Sequence, residues 1–122
     1  MKVELRQVAA DDPLVAEILR NGGFEYSSEI WVGLGNDELV AVWGFSPPTL
    51  LSDNAYVWSH VTPAVKKYRK EFLKQTRIVL AKVFVDYPVL YGLCNGRSNW
   101  LKHIGAQFGT SVDGYTSFEI RA

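Results

Sequence analysis

Cysteine is almost absent from this chain. Cys94 is the single thiol among 122 residues, which excludes an internal disulfide and fits a reduced, intracellular setting. Histidine is nearly as scarce. His60 and His103 stand far apart in sequence and far from Cys94, so no spacing typical of a metal site is present and no metal is expected. No apolar run approaches the roughly 20 residues of a membrane span. Charges interrupt the opening Met1-Lys2-Val3-Glu4-Leu5-Arg6, which does not read as a signal peptide. Repeats, linkers and low-complexity tracts are also missing. What remains is 48% hydrophobic and 13% aromatic, enough to build a packed core and to exclude a disordered tail. One domain over residues 1–122 is expected.

The formal net charge is zero, but the halves differ. Residues 1–62 carry nine acids and three bases, a net of −6, and residues 63–122 carry ten bases and four acids, a net of +6. Either the second half meets an anionic partner or the two halves attract each other within one fold.

Hydrophobic periodicity assigns the elements. Val3, Leu5 and Val8 alternate with polar residues and predict a first strand over Val3 to Val8. Asp11 or Asp12 can cap a helix opened by Pro13, with Leu14, Val15, Ile18 and Leu19 on one face and Asn21-Gly22-Gly23 at its end. Phe24 to Ser28 reads as irregular. Ile30 to Leu34 and Leu39 to Phe45 read as strands joined by the hairpin turn Gly35-Asn36-Asp37-Glu38. Pro47-Pro48 and Ser52-Asp53-Asn54 punctuate the chain before a fourth strand, Ala55 to Val61. Thr62 and Pro63 then predict the start of one long helix running to about Asp86, buried along Val65, Tyr68, Phe72, Thr76, Val79, Leu80, Val83 and Phe84. Lys66, Lys67, Lys70, Lys74 and Arg77 share an adjacent arc, with Ile78 and Val85 off the buried face.

Leu90 to Cys94 predicts a strand covered on both faces. Asn95-Gly96 turns the chain, Ser98 or Asn99 can cap a short helix, and Gly105 supplies its left-handed stop. Phe108 and Tyr115 to Ile120 give a last strand or hairpin. The fold class is α+β (α/β): a mixed central sheet with one long helix and two short ones.

The segment Leu90 to Ala106, with its strand, asparagine turn and helix ending Trp100-Leu101-Lys102-His103-Ile104-Gly105-Ala106, resembles the C-terminal half of the GNAT N-acetyltransferase fold. Val61-Thr62-Pro63 matches the Val-x-Pro at the end of that fold's fourth strand. The resemblance implies a coenzyme A site on Val61, Thr62, Lys66, Lys67 and Arg69, and a general base at His60. Three departures stand beside it. Lys67, Arg69 and Glu71 fall where the family has glycines, Leu101 falls where it has a tyrosine, and the usual second helix is reduced to a loop near Phe24-Tyr26. Glycines there let backbone N–H groups approach the pyrophosphate; these side chains obstruct that approach, so coenzyme A is expected to bind weakly or not at all.

A narrower resemblance covers roughly residues 63–120. Lys66-Lys67-Tyr68-Arg69-Lys70, Asn95-Gly96-Arg97-Ser98 and Leu101-Lys102-His103-Ile104-Gly105-Ala106-Gln107-Phe108 are similar to the small internal virion protein family of short-tailed phages, which looks like a GNAT-like domain without the coenzyme A loop. It implies a non-catalytic protein in the host cytoplasm or the virion. Such a protein would contact a phage or host protein through Lys70, Lys74, Arg77 and Ile78 during particle assembly or host interaction. The alternative is an acetyl-coenzyme A-dependent N-acetyltransferase acting on an amine. Nucleic acid fits poorly, because no aromatic stacking platform accompanies the bases.

Overall fold

The described residues open on a strand from Val3, and the turn into the first helix is set by one carboxylate. Asp12 Oδ1 accepts the N–H of Leu14 at 2.9 Å, and the Asp12 carbonyl accepts those of Val15 and Ala16 at 3.0 and 2.9 Å. Pro13 has no N–H to lose there. The computed structural model describes residues 3–22, 29–47, 51–95 and 99–122. Their elements are β1 (Val3–Val8), α1 (Ala16–Gly22), β2 (Glu29–Gly35), β3 (Glu38–Ser46), β4 (Asn54–Val61), α2 (Arg69–Val83), β5 (Val89–Asn95), α3 (Asn99–His103), β6 (Gln107–Val112) and β7 (Tyr115–Arg121). The irregular stretch and the loop expected over Phe24 to Ser28 lie outside the described residues, as do Gly23, Pro48 and the Gly96 to Ser98 part of the turn.

The strands form one seven-stranded sheet in the order β1-β2-β3-β4-β5-β7-β6. Every pairing is antiparallel except β4 with β5, which is parallel. The β2–β3 turn places Asn36 and Asp37 at φ of 50° and 64°, the doubly left-handed geometry whose twist matches that of the flanking strands. Asp113 and Gly114 repeat it between β6 and β7 at 52° and 82°. Val40 to Phe45 of β3 is buried throughout, because both faces of this strand are covered. On one face α1 packs Val15 and Leu19 against Ile30, Val32, Val42 and Trp58. On the other, α2 and Leu101 of α3 join Trp43, Phe45, Val57, Leu90 and Phe118. Trp58 lies flat across Gly44, where any Cβ would stand 2.0 Å from its ring.

Two sequence expectations are corrected here. The first is the start of the long helix. Pro63–Lys66 is a 3-10 turn, and the α-helix begins at Arg69 after Tyr68 leaves helical geometry at φ −124°, ψ 36°. Thr62 does not cap it. Its hydroxyl donates to the Leu39 carbonyl at 2.5 Å instead. Tyr68 is pulled out of register by a distant contact. Its ring covers Gly35, and its hydroxyl accepts from Asn36 Nδ2 at 3.1 Å. The helix also ends earlier, at Val83. Its buried face holds Phe72, Thr76, Val79, Leu80 and Val83 as expected, and also Gln75, whose Nε2 donates to the Glu4 carbonyl at 2.9 Å.

The second correction concerns β5. Only Leu90, Gly92 and Cys94 face the α2 layer, opposite Ile120, Phe118 and Thr116 of β7. Tyr91 and Leu93 on the other face are 36% and 56% exposed, because α1 covers the β2–β4 end of the sheet and does not reach β5.

Candidate functional site: a wedge in the sheet

The parallel pair β4–β5 holds together over three residue pairs, Asn54 with Val89, Ala55 with Leu90 and Tyr56 with Tyr91. Beyond these, β4 stays paired with β3 as far as Val61, and β5 stays paired with β7 as far as Asn95. Each strand keeps one neighbour while the two diverge. Among the described residues, the strand pairing on the β5 edge of β4 therefore stops at Tyr56. Gly92 sits at the point of divergence. A Cβ there would lie 2.7 Å from the Val57 carbonyl oxygen and 2.8 Å from the Phe118 ring.

A cavity of about 470 Å³ occupies the gap. Trp43, Val57, Leu80, Leu101, Ile104, Phe118 and Ile120 wall it on the α2 side. Tyr56, Trp58, Leu93 and Tyr115 line its other end, with Ser59 on β4. Among the described residues its lining contains no Asp, Glu, Lys, Arg or His. Thr76 donates its hydroxyl to the Phe72 carbonyl at 2.8 Å. Trp43 stacks on Phe72 with centroids 5.8 Å apart and an interplanar angle of 11°. Its indole N–H is buried with no hydrogen-bond partner among the described residues, a state that ordinarily costs about 1–3 kcal/mol.

Two phenols pack edge to face beside the gap. Tyr56 and Tyr91 have centroids 5.7 Å apart at 70°. Burial, reinforced by the negative charge that Tyr91 would carry, raises the pKa of Tyr56 above the usual phenol value. Tyr56 therefore stays protonated across the neutral range.

Cys94 closes the strand that the sequence predicts to be covered on both faces. It is half-buried, it lines the cavity, and its Sγ donates to the Thr116 carbonyl at 3.5 Å. His60 lies on β4 one residue past Ser59, exposed and outside the cavity wall. Val61 is also exposed. Lys66, Lys67 and Arg69 surround the start of α2, all exposed. Lys67 Nζ reaches Glu38 Oε2 at 3.4 Å, an exposed pair of the kind that contributes little. The backbone N–H groups of Lys67 and Tyr68 are used by the Ala64 and Val65 carbonyls at 3.0 and 3.1 Å. Lys70 and Lys74 face solvent. Arg77 donates to the His103 carbonyl at 3.2 Å and so ties α2 to α3. Ile78 beside it is 47% exposed. The sequence-predicted residues thus gather along the end of β4 and the exposed side of α2. A cleft between the fourth and fifth strands is what the GNAT resemblance implies; its lining by Tyr56, Trp58 and Tyr115 is not read from the sequence.

No family model matches the sequence, and no curated protein matches it. Solved structures do match in shape. A protein from Exiguobacterium sp. 255-15 described as an acetyltransferase superposes with a TM-score of 0.72 at 17% identity, over 99% of this chain and 94% of that one. The IAA acetyltransferase from Bacillus cereus ATCC 14579 gives 0.69 at 9% identity, over 99% and 100%. An acetyltransferase of the GNAT family from Streptococcus pneumoniae gives 0.64 at 10%, over 99% and 100%. At these identities the likeness establishes the fold, which is that of the GNAT acetyltransferases.

Proposed function

We propose that the chain is an acyl-coenzyme A-dependent N-acyltransferase whose thioester arm lies in the wedge between β4 and β5. The observation that carries this reading is the divergence of the two strands into a cavity. Beyond Tyr56, where pairing with β5 stops, the edge of β4 runs alongside the amides of the arm. Lys66, Lys67 and Arg69 supply point charges to the phosphates, in place of the backbone cradle that glycines would give. His60 takes the proton of the attacking amine, directly or through water. The amine nitrogen bonds to the thioester carbonyl carbon, the carbon–sulfur bond breaks, and the thiolate receives a proton. Leu101 has no proton to give. Tyr56 is a protonated phenol in the wall able to supply it.

Calorimetry with acetyl-coenzyme A tests this reading. A dissociation constant on the order of 100 μM is expected, equivalent to about −5.5 kcal/mol. The double variant Lys66→Ala, Arg69→Ala should bind several-fold more weakly, with a flatter salt dependence. His60→Ala should lower turnover about a hundredfold or more with binding intact. Absence of saturable binding up to millimolar ligand would overturn the reading.

The side chains at Lys67, Arg69 and Glu71, with Leu101, favour a second reading: a non-catalytic phage-type protein working through protein contacts. Its contact would be the basic arc of α2, where Lys70 and Lys74 are exposed beside Ile78 and Val85. Reversal of Lys70 and Lys74 to Glu should then weaken a phage or host protein contact in a salt-dependent way while circular dichroism stays unchanged. An unchanged affinity for that partner would leave the arc as solvated surface.

A further inference from the structure

We infer that the acceptor is a primary amine borne on an aromatic ring, which packs against Tyr91, Leu93 and Tyr115 at the mouth of the wedge. The inference rests on the acyltransferase reading above and names its acceptor class. The two faces of the sheet separate donor from acceptor. Lys66, Lys67 and Arg69 gather at the start of α2, and α2 packs on the face that carries Trp43, Val57 and Phe118. The phosphates of the donor belong on that side. Strand alternation turns other side chains to the opposite face. Tyr56 pairs in register with Tyr91, and their rings meet there. Leu93 follows two residues on. Tyr115 stands opposite Asn95, diagonal to Leu93, a spacing that aromatic side chains span. His60 pairs with Val42 of the α1 cluster, so the base lies on this face as well.

The core does not use these side chains. Neither core cluster includes Tyr91, Leu93 or Tyr115, and they are 36%, 56% and 54% exposed. They offer a ligand flat apolar surface and little charge. Glu119, opposite Tyr91 on β7, is taken by Arg121. Asp113 of the β6–β7 turn lies outside the cavity lining. A polyamine would bring several ammonium groups to this mouth, and each would need a carboxylate to replace its water. An aryl amine brings one nitrogen, which must reach the thioester unprotonated, and a ring that packs edge to face or offset on the phenols. Each such ring contact favours an aryl over an alkyl amine by roughly two- to twelvefold.

The test is steady-state acetyl transfer by the intact chain from acetyl-coenzyme A to 2-phenylethylamine, hexylamine and spermidine, with calorimetry of acetyl-coenzyme A beside it. kcat/KM for 2-phenylethylamine should exceed that for hexylamine about fivefold and that for spermidine about tenfold or more. The double variant Tyr91→Leu, Tyr115→Leu should bring the phenylethylamine-to-hexylamine ratio to about one. Leu93→Asp, at an exposed position, should shift preference toward spermidine, and it serves alone where the double variant does not fold. Equal use of the three amines, or a preference for spermidine, would overturn the inference and leave the acyltransferase reading standing. So would turnover of none of them by a chain that binds acetyl-coenzyme A. Absence of acetyl-coenzyme A binding would remove both. A ratio that survives in the folded double variant would place the ring elsewhere and overturn the inference. A double variant that loses acetyl-coenzyme A affinity would give the two phenols to the donor and overturn it too.

Discussion

Phe72→Ala should lower the stability of the fold by about 3–5 kcal/mol. Phe72 is buried on the inner face of α2, and its ring stacks on Trp43 at the middle of the sheet. Removing it takes away the contact that seats the first turns of the helix and leaves a void beneath a large, stiff indole. Neither neighbour can collapse into that space cheaply. Trp43 is held between β2 and the helix, since its ring end already approaches Gly33 closely enough to meet any added Cβ there at 3.0 Å. Denaturant unfolding should show a lower midpoint with an unchanged slope. A loss under about 0.5 kcal/mol would mean that the ring does not carry the helix–sheet contact.

Gly92→Ala should reduce both stability and thioester binding. The new methyl would meet the Val57 carbonyl oxygen at 2.7 Å and the Phe118 ring at 2.8 Å. A ring can tilt, but a backbone oxygen in a paired strand moves only with its strand. Overpacking of this kind ordinarily costs about 1–3 kcal/mol. The strain falls where β4 and β5 part, so the wedge changes shape and the edge of β4 shifts relative to the cavity. Binding of acetyl-coenzyme A should fall in step with the thermal midpoint. A variant that kept wild-type stability and affinity would show that the wedge tolerates a wider strand separation.

The features visible in the sequence were those set by neighbouring residues. Asn36-Asp37 announces a tight hairpin because short polar side chains tolerate left-handed backbone. Gly105, at φ 88°, ends α3 as expected. Asp12 and Pro13 open the turn into α1 for equally local reasons. What escaped was set by residues far away. The start of α2 moved because Tyr68 packs on a turn more than thirty positions upstream. Gln75 reads as polar surface until the Glu4 carbonyl is placed beside it. The exposure of Tyr91 and Leu93 follows from where α1 stops, which no pattern within β5 encodes. The wedge follows from the fold resemblance, but no residue pattern marks where it opens. It is the divergence of two ladders, each regular by itself, with Gly92 at that point.

The short seam between β4 and β5 makes the sheet two plates. One is β1 to β4, the other β5, β7 and β6, and each has a complete antiparallel ladder of its own. The sequence changes sign just past this seam, since residues 1–62 are net acidic and 63–122 net basic. The second plate, residues 89–122, carries only three bases and two acids, a net of +1, because the basic excess lies on residues 63–88 around α2, so charge does little to hold the plates across the place where backbone hydrogen bonds are fewest. Such a boundary divides a domain into cooperative units, and the seam opens at lower cost than either ladder. Amide exchange should thus be faster for N–H groups bonded across the β4–β5 seam than for those bonded within either plate. A molecule seated in the wedge touches both units at once and acts as a rivet between them.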